Sequence, residues 1–174
     1  TPLDAPGRLQ ADHLAQRLQP WTFDQVLVSP VARARETAER AGLGTHAEVV
    51  DALAEWRYGD LVGRPGPEVR SARPGWELWT DGAPGGESPA DVESRLQPVL
   101  ARLQAASADV AVVSHGHVLR ALIVAWLGLP IARAGAFALD PASVTVLGHQ
   151  HGRPALLALN DTSHLPDQRA RERR

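Results

Sequence analysis

From Val110 to Ala121 the chain reads Val-Ala-Val-Val-Ser-His-Gly-His-Val-Leu-Arg-Ala, and no other stretch narrows the possible folds as much. The apolar run is too short for a helix, and the apolar residues after Gly116 recur at helical spacing. This pattern predicts a buried parallel strand feeding a helix. His115 then sits at a strand's carboxyl end, where open α/β sheets bind ligands because strand tips and helix amino ends form a polar crevice over an apolar layer. Gly116 removes a side chain that would hold a ligand off the backbone. The helix amino end offers unpaired N–H groups and partial positive charge, both suited to an anion. A half-buried histidine bonded to a neighbouring carbonyl fits the same placement, so other parts of the chain must decide between the two readings.

A second strand is predicted at residues 23–28, closed by Ser29-Pro30, with its carboxyl end facing the same crevice. Ala32, Ala34, Thr37, Ala38 and Ala41 then mark a helix of small residues stopped by Gly42. Arg33 falls in the first turn, within reach of the strand tip, and its planar guanidinium suits bidentate phosphate contact. Arg35 points about 200° away around the axis, and both Arg35 and Arg40 read as solvated helix charges. Ahead of this unit, Leu9, Ala11, Leu14, Ala15 and Leu18 predict an amphipathic helix ending at Pro20.

Ala47 to Val50 reads as a third strand, and Leu53 to Arg64 as an irregular loop. Within the loop, Glu55 lies between Ala54 and Trp56, where an apolar setting would raise its pKa and fit it for proton transfer; an ordinary surface glutamate is an equal alternative. Residues 65–87 carry four prolines, five glycines, Trp76 and Trp79, and are too long for a simple connector. They read as a lid whose tryptophans form a small core of its own. Ser88 as N-cap, Pro89 at the first helical position and Asp91 nearby predict a helix to about Ala106. Segments 143–147 and 155–159 predict an edge hairpin turning near His149 and His151, both solvent-exposed. The charged end, Gln168 to Arg174, is expected to fray.

At 174 residues one domain is expected. A formal charge of -2 gives no general attraction to nucleic acid or anionic membrane, although all 18 basic residues are arginine. No apolar run is long enough to cross a bilayer, so a soluble, cytoplasmic protein is expected. With no cysteine, a metal site would have to use histidine and carboxylates. Methionine is absent as well, from which Thr1 is expected to be an internal residue.

Taken together, several segments resemble the histidine phosphatase superfamily, also called phosphoglycerate mutase-like. They are Pro2-Leu3 through Gly7-Arg8-x-Gln10-Ala11, Ser29-Pro30-x-x-Arg33-Ala34-x-x-Thr37-Ala38, Leu53-x-Glu55-x-x-Tyr58-Gly59-x-x-x-Gly63, Gly86-Glu87-Ser88 and Ser114-His115-Gly116. The resemblance, with the elements above, implies an α/β three-layer sandwich: a mostly parallel central sheet flanked by helices, a lid insertion at about 65–87 and an edge hairpin. It also implies phosphoryl transfer through a phosphohistidine, without cofactor or metal. Arg33 would hold the phosphate, His115 would line the pocket and stabilise the transferring group, and Glu55 would protonate the leaving alcohol. The implied nucleophile, the histidine of an Arg-His-Gly motif on the first strand, occurs nowhere in the sequence and is expected ahead of Thr1.

Gly85-Gly86-Glu87-Ser88, Ser114-His115-Gly116-His117 and the ending Asn160-Asp161-Thr162-x-His164-Leu165 resemble the bacterial acid and sugar-phosphate phosphatases. The partner implied is a small phosphorylated metabolite. Three alternatives stand beside this: mutase-type transfer, which the missing basic insertions disfavour; a non-catalytic phosphate-binding protein, if no nucleophile is supplied; and a metallo-hydrolase built on His115-x-His117, which lacks further ligands at short spacing.

Overall fold

Val28 and Val113 are in-register neighbours on parallel strands, so two chain segments far apart in sequence leave the sheet at one level. This computed structural model describes residues 1–166, and the expected fraying of Gln168 to Arg174 lies outside the described residues. Strand β1 (Gln25–Val28) is central. It pairs in parallel with β2 (Ala47–Val49) on one side and with β3 (Val110–Val113) on the other. Each strand is followed by a helix or turn that returns the chain across a face of the sheet, as parallel pairing requires.

Alternation along β1 assigns its two faces. Leu27 packs into the larger apolar cluster, with Leu53, Trp56, Val92, Leu96, Val118 and Leu122. Val28 packs on the other side against Ala34 and Ala38. Ala34 and Ala38 belong to α2 (Ala32–Arg40), whose buried stripe of alanines lets it lie close to the sheet. Helix α1 (Ala5–Leu18) packs on α2. It starts where the Asp4 carboxylate accepts the Gly7 N–H at 2.8 Å and buries Ala11 and Leu14. Helices α5 (Pro89–Ala105) and α6 (Gly116–Trp126) pack on each other and carry the larger cluster. The central parallel sheet flanked by helices is therefore as expected. No helix among the described residues is long and apolar enough to cross a membrane.

Three expectations are corrected. Residues 65–87 form two short helices, α3 (Gly66–Ala72) and α4 (Leu78–Asp81), but their tryptophans make no separate core. Trp79 is 7% exposed, lies within the main cluster and meets Trp56 edge-to-face at 5.5 Å. The cause is area: a large indole buries more apolar surface against an existing core than a short insertion can supply. The loop at 53–64 is partly regular, with 3-10 turns at Asp51–Leu53 and Gly59–Leu61. The hairpin of β4 (Val144–Gln150) and β5 (Arg153–Asp161) is a two-stranded sheet of its own among the described residues, not an edge of the parallel sheet. It is held to the helices by Trp126, whose Nε1 donates to the Gly148 carbonyl at 3.1 Å, and by Arg17 of α1, which binds Asp161 at 3.1 Å.

Candidate active site

The in-register ends of β1 and β3 put Ser29 beside the start of the Ser114-His115-Gly116 segment, and the Ser29 N–H donates to the Val113 carbonyl at 2.9 Å. Ser29 is fully buried, and its Oγ lies 2.7 Å from His115 Nε2. The same oxygen accepts the Val31 N–H at 3.2 Å. One hydroxyl thus fixes both the imidazole and the entry to α2. His115 is 6% exposed. Burial lowers its pKa to about 4, helped by the Arg33 and Arg95 charges and opposed by Glu55, so the ring is neutral at pH 7.

Arg33, at the second position of α2, is half-buried and has no carboxylate within ion-pair distance among the described residues. Its charge opposes protonation of His115 and favours ionisation of Tyr58. Arg35 is exposed, as expected. Arg40 is not merely solvated: it pairs with Asp12 at 2.9 Å and with Glu36 at 3.6 Å, tying α2 to α1.

Glu55 lies at the amino end of α6 next to His115, but not in the state expected. Its side chain is 16% exposed, and burial by itself would raise its pKa. Neighbouring His117, the Trp56 N–H and the His115 ring outweigh that and hold it at about 2. The reason is geometric. Oε1 accepts the Trp56 N–H at 2.9 Å and the Val118 N–H at 3.3 Å, so the carboxylate occupies part of the amino end of α6. Part of the anion site expected there is already filled by a residue of the chain itself.

Further residues complete the cluster. Tyr58 Oη lies 2.8 Å from His117 Nδ1, which is 3.8 Å from Glu55 Oε2. Burial, with the Glu55 charge, pushes the phenol pKa upward and keeps its proton on. His115 and His117 are thus engaged by different hydroxyls, Ser29 and Tyr58. Arg120, one turn along α6, stands 4.9 Å from the centre of the Trp79 ring and donates to the Ala134 and Gly135 carbonyls at 3.0 and 2.8 Å. Burial draws its pKa down.

The loop carrying Glu55 is bolted from below. Glu87 is 3% exposed. Its carboxylate takes two hydrogen bonds from Arg95, at 2.8 and 3.1 Å, and one from the Arg57 N–H at 2.9 Å. Its carbonyl accepts Trp56 Nε1 at 3.0 Å. Arg95 also donates to the Ala52 carbonyl, and Ser114 Oγ to the Leu53 carbonyl at 2.7 Å. Such a buried ion pair is stable only when its remaining donors and acceptors are satisfied, and here the polypeptide just before and after Glu55 satisfies them.

Sequence reasoning singled out Arg33, Glu55 and His115 but not Ser29, the Tyr58–His117 pair or the Glu87–Arg95 pair, which the structure sets around them. Ser29 had a signal, since it follows β1 as Ser114 follows β3. Glu87 and Arg95 lie eight residues apart across a helix start, a spacing that fits no i,i+3 or i,i+4 rule. His117 pointed toward a metal only because its neighbour was also histidine.

The chain as a whole is similar to known proteins. An acid phosphatase from Mycobacterium tuberculosis is 42% identical over 162 residues, covering 91% of this chain and 79% of that protein. A solved structure of an open reading frame from the same species superposes with a TM-score of 0.86 at 41% identity, covering 91% of this chain and 84% of that one. A mycobacterial glucosyl-3-phosphoglycerate phosphatase in complex with inorganic phosphate superposes with a TM-score of 0.82 at 29% identity, covering 95% and 90%. The family description "Histidine phosphatase superfamily (branch 1)" matches residues 1–162, and the chain belongs to that superfamily.

Proposed function

We propose that this protein is a single-domain phosphatase that hydrolyses small phosphate monoesters through a phosphohistidine. Arg33 binds the phosphoryl oxygens. Neutral His115, oriented by Ser29, stabilises the charge spread over those oxygens in the transition state. Glu55 delivers a proton to the leaving alcohol. The nucleophile in this reading is the histidine of an Arg-His-Gly segment ahead of Thr1. The outer edge of β3 is unpaired among the described residues, and a parallel strand added there would end beside His115. Water then releases the phosphate from the phosphohistidine. The likeness to an acid phosphatase and to a phosphate-bound glucosyl-3-phosphoglycerate phosphatase supports small phosphorylated metabolites as substrates. The proposed setting is the cytoplasm, where the charge of such esters retains them.

The observation that carries the reading is the geometry at the strand ends: Ser29 holds His115 at 2.7 Å, Glu55 binds the amino end of the helix that His115 caps, and Arg33 lies in the first turn of α2 just after Ser29. The test is to incubate the full-length polypeptide with a ³²P-labelled monoester and quench in alkaline detergent. Label should remain on the protein in alkali and be lost in acid, as a phosphoramidate requires. Label that binds without transfer would replace this reading with a phosphate-binding role, and transfer to a second sugar or glycerate rather than water would replace it with a mutase.

A further inference from the structure

Helix α6 directs a second imidazole toward the site. Oε1 of Glu55 is taken by two backbone N–H groups, so Oε2 is the oxygen left to carry a proton. His117 Nδ1 is 3.8 Å from that oxygen and 2.8 Å from Tyr58 Oη. The two side chains differ in access: His117 is 35% exposed and Glu55 16%. Trp79 backs the imidazole at 5.3 Å with the rings tilted by 33°. The charged and titratable groups around the pair are Tyr58 from the loop, His115 at the cap of α6, Arg120 from α6, and Arg33 from α2.

A general acid must regain its proton in every turnover. A carboxylate held ionised by His117 and by backbone N–H groups needs a donor that meets solvent, and His117 is the side chain placed between the two. We propose that His117 is a proton-relay residue that acts through Glu55, with the Tyr58 hydroxyl as the bridge. The Nδ1 proton of the imidazolium passes to Tyr58 Oη as the Tyr58 proton passes to the Glu55 carboxylate, to which that hydroxyl is hydrogen-bonded. Glu55 then gives that proton to the ester oxygen as the P–O bond breaks and leaves its electron pair there. Neutral His117 takes a new proton from water. The relay rests on the reading of Glu55 as the leaving-group acid.

Leaving groups separate this from a structural role. A nitrophenolate departs without a proton, whereas an alkoxide needs one. In the full-length polypeptide, His117→Ala should reduce kcat on glycerol phosphate about tenfold or more beyond its effect on p-nitrophenyl phosphate. Added imidazole should restore part of the glycerol phosphate activity. Tyr58→Phe, which keeps the ring and removes the bridge, should show the same selectivity without rescue by imidazole. Equal losses on both esters, or no loss, would overturn the relay. Glu55→Gln run alongside tells the two failures apart: if it is selective and His117→Ala is not, only the relay falls, and if Glu55→Gln is itself unselective, the assignment of Glu55 falls and the relay with it.

Discussion

At the scale of single residues, neutrality matters as much as placement. His115 is buried against Ser29 with Arg33 close enough to oppose its protonation, so in the proposed mechanism it donates a hydrogen bond to a phosphoryl oxygen without competing for a proton. Replacing His115 with Ala removes a transition-state donor and should lower kcat/KM by about 10²–10³-fold. Arg33→Lys should also be costly, because an ammonium cannot reproduce the planar fork. Arg35→Ala, on the exposed side of the same helix, should stay within about twofold of the parent, as surface changes generally do. Steady-state kinetics on one ester measures all three, and a larger loss at Arg35 than at His115 would reverse the assignment of this helix. The expected raised pKa of Glu55 failed for a reason that local sequence hides: flanking Ala54 and Trp56 report burial, but not that the α6 backbone donates to the carboxylate.

At the scale of elements, the Glu55 loop and the start of α5 are joined backbone to backbone. Asp60 N–H donates to the Pro84 carbonyl at 2.8 Å, and Glu87 N–H to the Arg57 carbonyl at 2.9 Å. Gly59 sits at φ 50° against this seam, where a Cβ would run into the backbone of Gly85 and Gly86. Gly59→Ala should therefore cost about 2 kcal/mol or more, through strain and the shift of Glu55 together. Arg95→Ala leaves the Glu87 carboxylate buried without its main partner and should cost about 3–5 kcal/mol. Ser88→Ala removes one half of the capping box that starts α5 and should cost only about 1 kcal/mol. Urea unfolding ranks the three, and a Ser88 effect exceeding that of Arg95 would show that the ion pair contributes little.

At the scale of the whole molecule, the site makes the fold acid-sensitive. His115 falls from an ordinary 6.5 to about 4, and Glu55 from 4.5 to about 2. In both cases the unfolded chain binds protons that the folded chain refuses, so this stability is fully present above about pH 6.5 and is lost as pH falls. The loss runs first through His115 toward pH 4 and then through Glu55 toward pH 2. Urea midpoints should drop between pH 7 and 4, and His115→Asn should flatten that part of the curve; a midpoint that rises on acidification would contradict the sign. The amino-acid sequence by itself determined the strands and helices around residues 25–40 and 110–126, the capped start of α5, and Arg33, Glu55 and His115 as the residues to watch. Each rests on periodicity, caps or junctions within a few residues of chain, which is the range over which side-chain pattern dictates backbone. Only the tertiary structure decided that Trp79 joins the main core, that the hairpin pairs with itself, that Ser29 holds His115, and that Glu55 is anchored by α6 with His117 alongside. Those outcomes depend on which surfaces meet after the chain has crossed the sheet, and contacts such as Ser29 with His115, 86 residues apart, follow from strand order and register that no local pattern encodes.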